Sequence, residues 1–328
     1  THGVSGESTK KDFETAMQLL YLYYTAPRFD KDEYSQGMTQ LNAVLPNLIS
    51  QPNYQFMQGY YKALYNSPRK FVISPEVAAK ASLSTLEKNY RKLFNNVGNA
   101  TLVIVGDFSE DDIMPMIEKY AGSLPKGSRA SNWSYRKDGI VNGKVINDFK
   151  AKMETPKVTV LDVYKLDTAY SAQGEVSTEA LAYILEMVYT ESLRENEGGT
   201  YGASVNSGVN NAPNSSRILE IEYETNTKSA DTLRALAASG FKNIADNGPT
   251  AEQFDKTVKN LKKNIPENKL RNSYWVGSIK NDFLYNFDYV SSYEEAVNNL
   301  TPEMIKEAAA DLYYSGNFIE TVMRPQAE

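Results

Sequence analysis

The sharpest local feature of the chain is Leu193-Arg194-Glu195-Asn196-Glu197-Gly198-Gly199-Thr200-Tyr201-Gly202. A helical pattern ends at an arginine, a glycine pair turns the chain, and a tyrosine opens a strand pattern. Arginine offers five rigid donors and tyrosine one hydroxyl. Brought to one spot beside a sheet, the pair suits peptide carbonyls or a developing oxyanion. A structural reading stands beside this one, because cations are favoured at helix C-termini and a strand tyrosine commonly packs. Glu195 and Glu197 flank the arginine and could pair with nearby cations, a contact contributing about 0–1 kcal/mol when exposed. Gly198 and Gly199 position the turn. They do not form a phosphate loop, because they follow a helix instead of leading into one.

Other chemistries are excluded by residue type. There is no cysteine, so thiol catalysis, disulfides and Cys-ligated zinc are ruled out. The one histidine, His2, reads as a terminal residue and cannot supply the paired histidines of a zinc peptidase. No metal site is expected in this chain. A net charge of −6 argues against nucleic acid as the partner, since phosphate binding needs a concentrated basic face. No apolar run approaches the roughly 20 residues of a membrane span. The start, Thr1-His2-Gly3-Val4-Ser5, lacks the basic end and apolar stretch of a secretory signal. Lack of cysteine fits an extracytoplasmic, periplasmic place, although cytosolic proteins can lack it too.

The elements that must position the motif follow from pattern. Helices are expected at 11–25 (capped by Thr9), 30–45, 54–65, 83–94 and 111–120, and a short buried strand at Ala100-Thr101-Leu102-Val103-Ile104-Val105-Gly106. The stretch 129–154 is polar and turn-rich and reads as a linker. Beyond it come a strand at 158–164, a helix at 178–194 capped by Ser177, strands from 200 and at 218–224, helices at 228–245, 251–265, 272–284 and 302–313, and a last strand at 318–323. In the strand at 218–224, Leu219, Ile221 and Tyr223 alternate with Glu220, Glu222 and Glu224, the mark of a half-buried strand. Tyr21, Tyr23, Tyr24, Tyr60 and Tyr61 could line a peptide chamber, although tyrosines at helical spacing are more commonly core.

The two halves match at an offset of about 220 residues, a period far beyond that of a solenoid. Asp30 through Leu41 lies against Thr250 through Leu261, Ser82 through Phe94 against Thr301 through Tyr313, and Asn99 against Asn317. The expected fold class is therefore α+β, with two tandem homologous mixed α/β domains at 1–128 and 155–328. The strand-helix-strand-strand opening of the second, Val158 to Glu224, has no counterpart in the first, which reads as truncated on its N-terminal side. A fragment of a longer protein is expected.

Arg194 and Tyr201, seven residues apart, resemble the Leu-Arg-Glu-x-x-Gly-x-x-Tyr motif in the C-terminal half of the pitrilysin/insulysin zinc peptidases. The stretch Asp12 to Arg28 resembles the third domain of bacterial members, and Val103-Ile104-Val105-Gly106-Asp107 a strand that recurs in each family domain. The resemblance implies half of a four-domain clamshell, the third and fourth domains. It also implies a substrate-binding, transition-state role for Arg194 and Tyr201 near the scissile bond. The inverted His-x-x-Glu-His motif of the family is absent, so the zinc is expected in an N-terminal catalytic half or a separate catalytic subunit. The partners implied are that half and a peptide substrate, and this chain alone is expected to be inactive. The alternative is a non-catalytic peptide-binding or assembly subunit of the same fold.

Overall fold

The computed structural model describes residues 2–94, 97–127, 135–196, 200 and 202–326, without the side chains of 194–196. In chain order the helices α1 (Phe13–Thr25), α2 (Lys31–Ser50), α3 (Pro52–Leu64), α4 (Pro75–Ala78), α5 (Leu83–Phe94) and α6 (Glu110–Met116) come first. Then follow β1 (Lys144–Ala151), β2 (Val158–Asp167), α7 (Ala172–Tyr189), β3 (Ala203–Asn210), β4 (Ser216–Thr225), α8 (Ala230–Asn247), α9 (Ala251–Lys269), α10 (Asn272–Tyr285), α11 (Tyr289–Asn298), α12 (Pro302–Tyr313) and β5 (Phe318–Pro325). The chain divides into two compact units, residues 1–48 with 73–134, and 49–72 with 135–328.

The first unit is helical. α1 starts at Phe13 with Asp12, not Thr9, at its cap position and no side-chain cap bond; Thr9 instead bonds Asp12 ahead of the helix, its hydroxyl 2.7 Å from the Asp12 carboxylate. Lys119 and the Tyr120 hydroxyl both donate to Glu14, which ties α1 to the π-helical turn Ile117–Ala121 that extends α6. The expected strand at 100–106 does not form. Residues 101–105 carry no strand pairing, and Leu102 is 44% exposed. A strand exists only through a ladder, and among the described residues this unit offers no second strand.

The second unit is built on a five-stranded mixed sheet in the order β1-β5-β2-β4-β3. β1 and β5 run parallel, and the remaining neighbours are antiparallel. β1 lies inside the stretch read as a linker. Its alternation, with Val145 and Phe149 packing beneath α3, is short and bounded by turns, and it becomes a strand because β5 supplies its partner. The central strand β2 is buried on both faces from Val158 to Lys165, and its largely apolar run encloses Thr159, Asp162 and Lys165. One face carries Val158, Val160 and Tyr164 into a core formed with α7, α8 and α12. The other carries Leu161 and Val163 against Phe56, Tyr60 and Leu64 of α3. Gly59 is required there, because a Cβ would meet the Phe149 ring, with its Cζ at 2.7 Å.

The helix expected from Thr178 begins earlier. Ser171, not Ser177, is the cap, its hydroxyl accepting from the Gly174 N–H at 3.0 Å, while Ser177 is buried inside the helix. The helices α2 and α9 each continue past an internal proline, Pro46 and Pro266, where the sequence reading ended them. The helix α11, absent from the expected set, starts on Asp288, whose carboxylate accepts from the Ser291 N–H.

Candidate functional site

α7 is a core helix. Val176, Ala180, Leu181, Ile184, Leu185 and Tyr189 are all fully buried, and the Tyr189 hydroxyl donates to the Ala237 carbonyl of α8 at 3.1 Å. Past Tyr189 the backbone widens into a π-helical segment, Thr190–Asn196. Leu193 anchors this segment in the core at 0% exposure. The chain re-enters the sheet through Thr200, whose side chain bonds the Gly202 carbonyl at 2.9 Å and accepts from the Gly202 N–H at 3.2 Å, and β3 follows at once. The Arg194 backbone therefore sits on the last turn of a helix fixed in the core, the place read from the sequence. The Arg194 and Glu195 side chains, together with Glu197, Gly198, Gly199 and Tyr201, lie outside the described residues.

The tyrosine clusters divide. Tyr60 is core, with its hydroxyl donating to Glu220 at 2.7 Å; burial is the largest cause that raises its pKa, and Glu220 adds to it. Tyr24 packs edge-on to Phe94 and Tyr21 edge-on to Tyr120, whereas Tyr23 is half exposed.

Sequence reasoning missed a groove beside this motif. The one accessible stripe of α7 bears Glu175, Glu179, Tyr183 and Glu186, and with Val205, Asn206, Ser207 and Val209 of β3 it lines a cavity of about 460 Å³. A second hollow of about 790 Å³ continues past Tyr183 and Glu186 to Glu191 and the N-terminal end of α9, with Thr250 and Lys256 on its wall. The available signal was the i, i+4 pair Glu175 and Glu179, continued by Tyr183 and Glu186, on a helix whose other positions are mostly small or apolar. Tyr170 and Tyr289 donate to the two oxygens of Glu175 at 2.7 and 2.9 Å, and Tyr293 donates to Glu179 at 2.5 Å. Burial pushes the Glu179 carboxyl above its ordinary value, the Tyr293 hydroxyl opposes this, and the neighbouring charge of Glu175 adds to it. Among the described residues no group of histidine, cysteine or carboxylate side chains is placed to hold a metal ion.

The helix-to-edge-strand frame and its motif find their class in comparison with known proteins. Residues 80–261, more than half of the chain, match the family described as Peptidase M16 inactive domain, and the chain belongs to the M16 peptidase family. The resemblance read from Arg194 and Tyr201 holds at that level. No curated protein sequence matches the chain. Many solved structures share the fold, among them three bacterial or protease relatives. The periplasmic protease PqqL from Escherichia coli is 18% identical with a TM-score of 0.81, over 96% of this chain and 35% of that one. A mutant of the ferredoxin protease FusC, in complex with Arabidopsis ferredoxin, is 19% identical with a TM-score of 0.77, over 97% of this chain and 35% of that one. The M16 inactive domain from Pseudomonas fluorescens is 19% identical with a TM-score of 0.75, over 97% of this chain and 76% of that one. The chain thus spans about a third of the length of the two proteases. Among the described residues no helix is long and apolar enough to cross a membrane.

Proposed function

We propose that this chain is the C-terminal, substrate-enclosing half of an M16 zinc endopeptidase, comprising its third domain, read at 1–128, and its fourth, read at 155–328 and extended here by β1, which joins its sheet. The supporting observation is that a match to the family's inactive domain runs through the Leu193–Tyr201 motif, on the frame that joins a buried helix to an edge strand. The relatives are themselves proteases more than twice this length. The agreement of α2 with α9 and of α5 with α12, with Pro46 and Pro266 matching as well, supports the duplicated architecture.

In this reading the catalytic half supplies a zinc that activates water near neutral pH. The part of this chain is to bind and orient. Arg194 holds peptide carbonyls through its rigid donors, and the Tyr201 hydroxyl donates to the oxygen that gains charge as the bond is attacked. Gly198 and Gly199 let the backbone turn between them. A periplasmic place accords with PqqL and with the lack of cysteine.

The test is Tyr201→Phe in the complete enzyme. Loss of one preset donor lowers turnover about 10²–10³-fold, with an unchanged circular dichroism spectrum and little change in KM. Full turnover in that variant would reject the role. The second reading, a non-catalytic peptide-binding subunit, is favoured by the family's description as inactive and by the absence of a metal-holding group among the described residues. It predicts peptide binding without hydrolysis by the full-length protein, whatever zinc is added.

A further inference from the structure

β3 ends the sheet order, so one of its edges has no strand partner among the described residues. The register with β4 sets Val205 against Ile221, Ser207 against Leu219 and Val209 against Arg217. In an antiparallel ladder, alternate residues turn both backbone groups away from the neighbouring strand. The Val205 N–H points away from β4, since it reaches the Glu186 carboxylate at 3.4 Å. By the two-residue period, Ser207 and Val209 present their N–H and C=O groups on that same outer edge. These three residues also line the 460 Å³ cavity whose floor is the Glu175, Glu179, Tyr183 and Glu186 stripe of α7.

We propose that the outer edge of β3 takes up an extended peptide segment as an added strand, with lysine or arginine at alternate positions set over the glutamates of α7. Strand addition draws its affinity from main-chain hydrogen bonds and its selectivity from pockets that meet alternate side chains. The chemistry of the occupant follows from the charges. Three carboxylates face the groove, and the described residues place no lysine or arginine in a salt bridge with any of them. Their hydrogen bonds come from neutral donors, the tyrosine hydroxyls and one backbone amide. Burial first, and the charge of Glu175 in addition, hinder ionisation of Glu179, and this repulsion is relieved when a cation enters. An acidic or neutral strand would leave it in place. The three tyrosines hold Glu175 and Glu179 at fixed positions, so the groove is set before the peptide arrives.

This deepens the peptide-enclosing reading, on which it rests. Its test reads binding by this chain alone, so its failure and a failure of the Tyr201 assay are separate results. Fluorescence anisotropy would follow a labelled ten-residue peptide of alternating lysine and threonine at low salt. The comparison peptides carry glutamate in place of lysine, or N-methyl groups on alternate backbone amides. The expected result is binding of the lysine peptide, none of the glutamate peptide, and about tenfold weaker binding of the N-methylated one, as the loss of one or two hydrogen bonds of about 1 kcal/mol each predicts. Ser207→Pro, which removes one outward amide on an edge strand where proline is tolerated, weakens binding to a similar degree. The double variant Glu179→Gln, Glu186→Gln lowers the affinity for the lysine peptide and its salt dependence together. Equal binding of the methylated and unmethylated peptides would show general charge attraction only and overturn the proposal. So would an absence of binding by the lysine peptide.

Discussion

Arg234 of α8 donates to both oxygens of Glu320, at 2.8 and 2.6 Å, and Glu320 is the cross-strand neighbour of Asp162 in β2. Both carboxylates are buried, and Asp162 Oδ1 has no hydrogen-bond partner. Arg234→Leu therefore leaves two acids in the core facing each other without their cation. Breaking a buried pair on one side costs about 3–5 kcal/mol, on the order of 10 °C in midpoint for a unit of this size. The sign of the pH dependence follows from Asp162. Burial, then the charge of Glu320, raise its pKa well above the ordinary value, and Arg234 opposes them. A carboxyl with a raised folded pKa stabilises the fold most fully below its unfolded pKa, and this contribution is lost as pH rises through the folded one. The wild-type chain should thus lose stability from about pH 4 upward in this contribution, and the loss should be steeper in Arg234→Leu. Asp162→Asn should flatten it, and should rescue part of the Arg234→Leu defect at pH 7. Urea unfolding followed by circular dichroism at pH 5 and pH 7.5 measures all four proteins. A loss below about 1 kcal/mol for Arg234→Leu, or one that is the same at both pH values, refutes the reasoning.

Three further outcomes are expected. Gly59→Ala should destabilise the second unit by about 1 kcal/mol or more, because overpacking against Phe149 outweighs the helix propensity of alanine. Gly277→Ala in α10, where a Cβ meets nothing, should stabilise by about 0.5–1 kcal/mol; similar urea midpoints for the two variants would show that the contact at Gly59 is slack. Elemental analysis of the purified chain should find no stoichiometric zinc, and a tightly held equivalent would reject the assignment of the metal to another half.

Legibility in the sequence tracked how local each determinant is. α12 was read to the residue, because Thr301 caps it, Pro302 opens it and its apolar face has a clear period. The start of α7 was misplaced by taking Ser177 as its cap, and only packing shows that Ser177 is interior. β1 and the run at 101–105 were misread in opposite directions for one reason. Whether an extended segment becomes a strand depends on a distant partner, present as β5 for one and lacking among the described residues for the other. The Arg194/Tyr201 motif was legible because its members are seven residues apart. The acidic groove was not, because β3 is held along α7 as its second wall only once it has paired with β4.

The run Thr101-Leu102-Val103-Ile104-Val105 bears on handling the molecule. It is uncharged, free of proline and rich in β-branched residues, and it carries no strand pairing. Such segments are templates for cross-β stacking between copies. Concentrated solutions of the chain on its own should therefore show slow, concentration-dependent fibril or oligomer growth that heat accelerates. A single gatekeeper charge at the half-exposed Leu102, as in Leu102→Lys, should suppress that growth while leaving the second unit as stable as before.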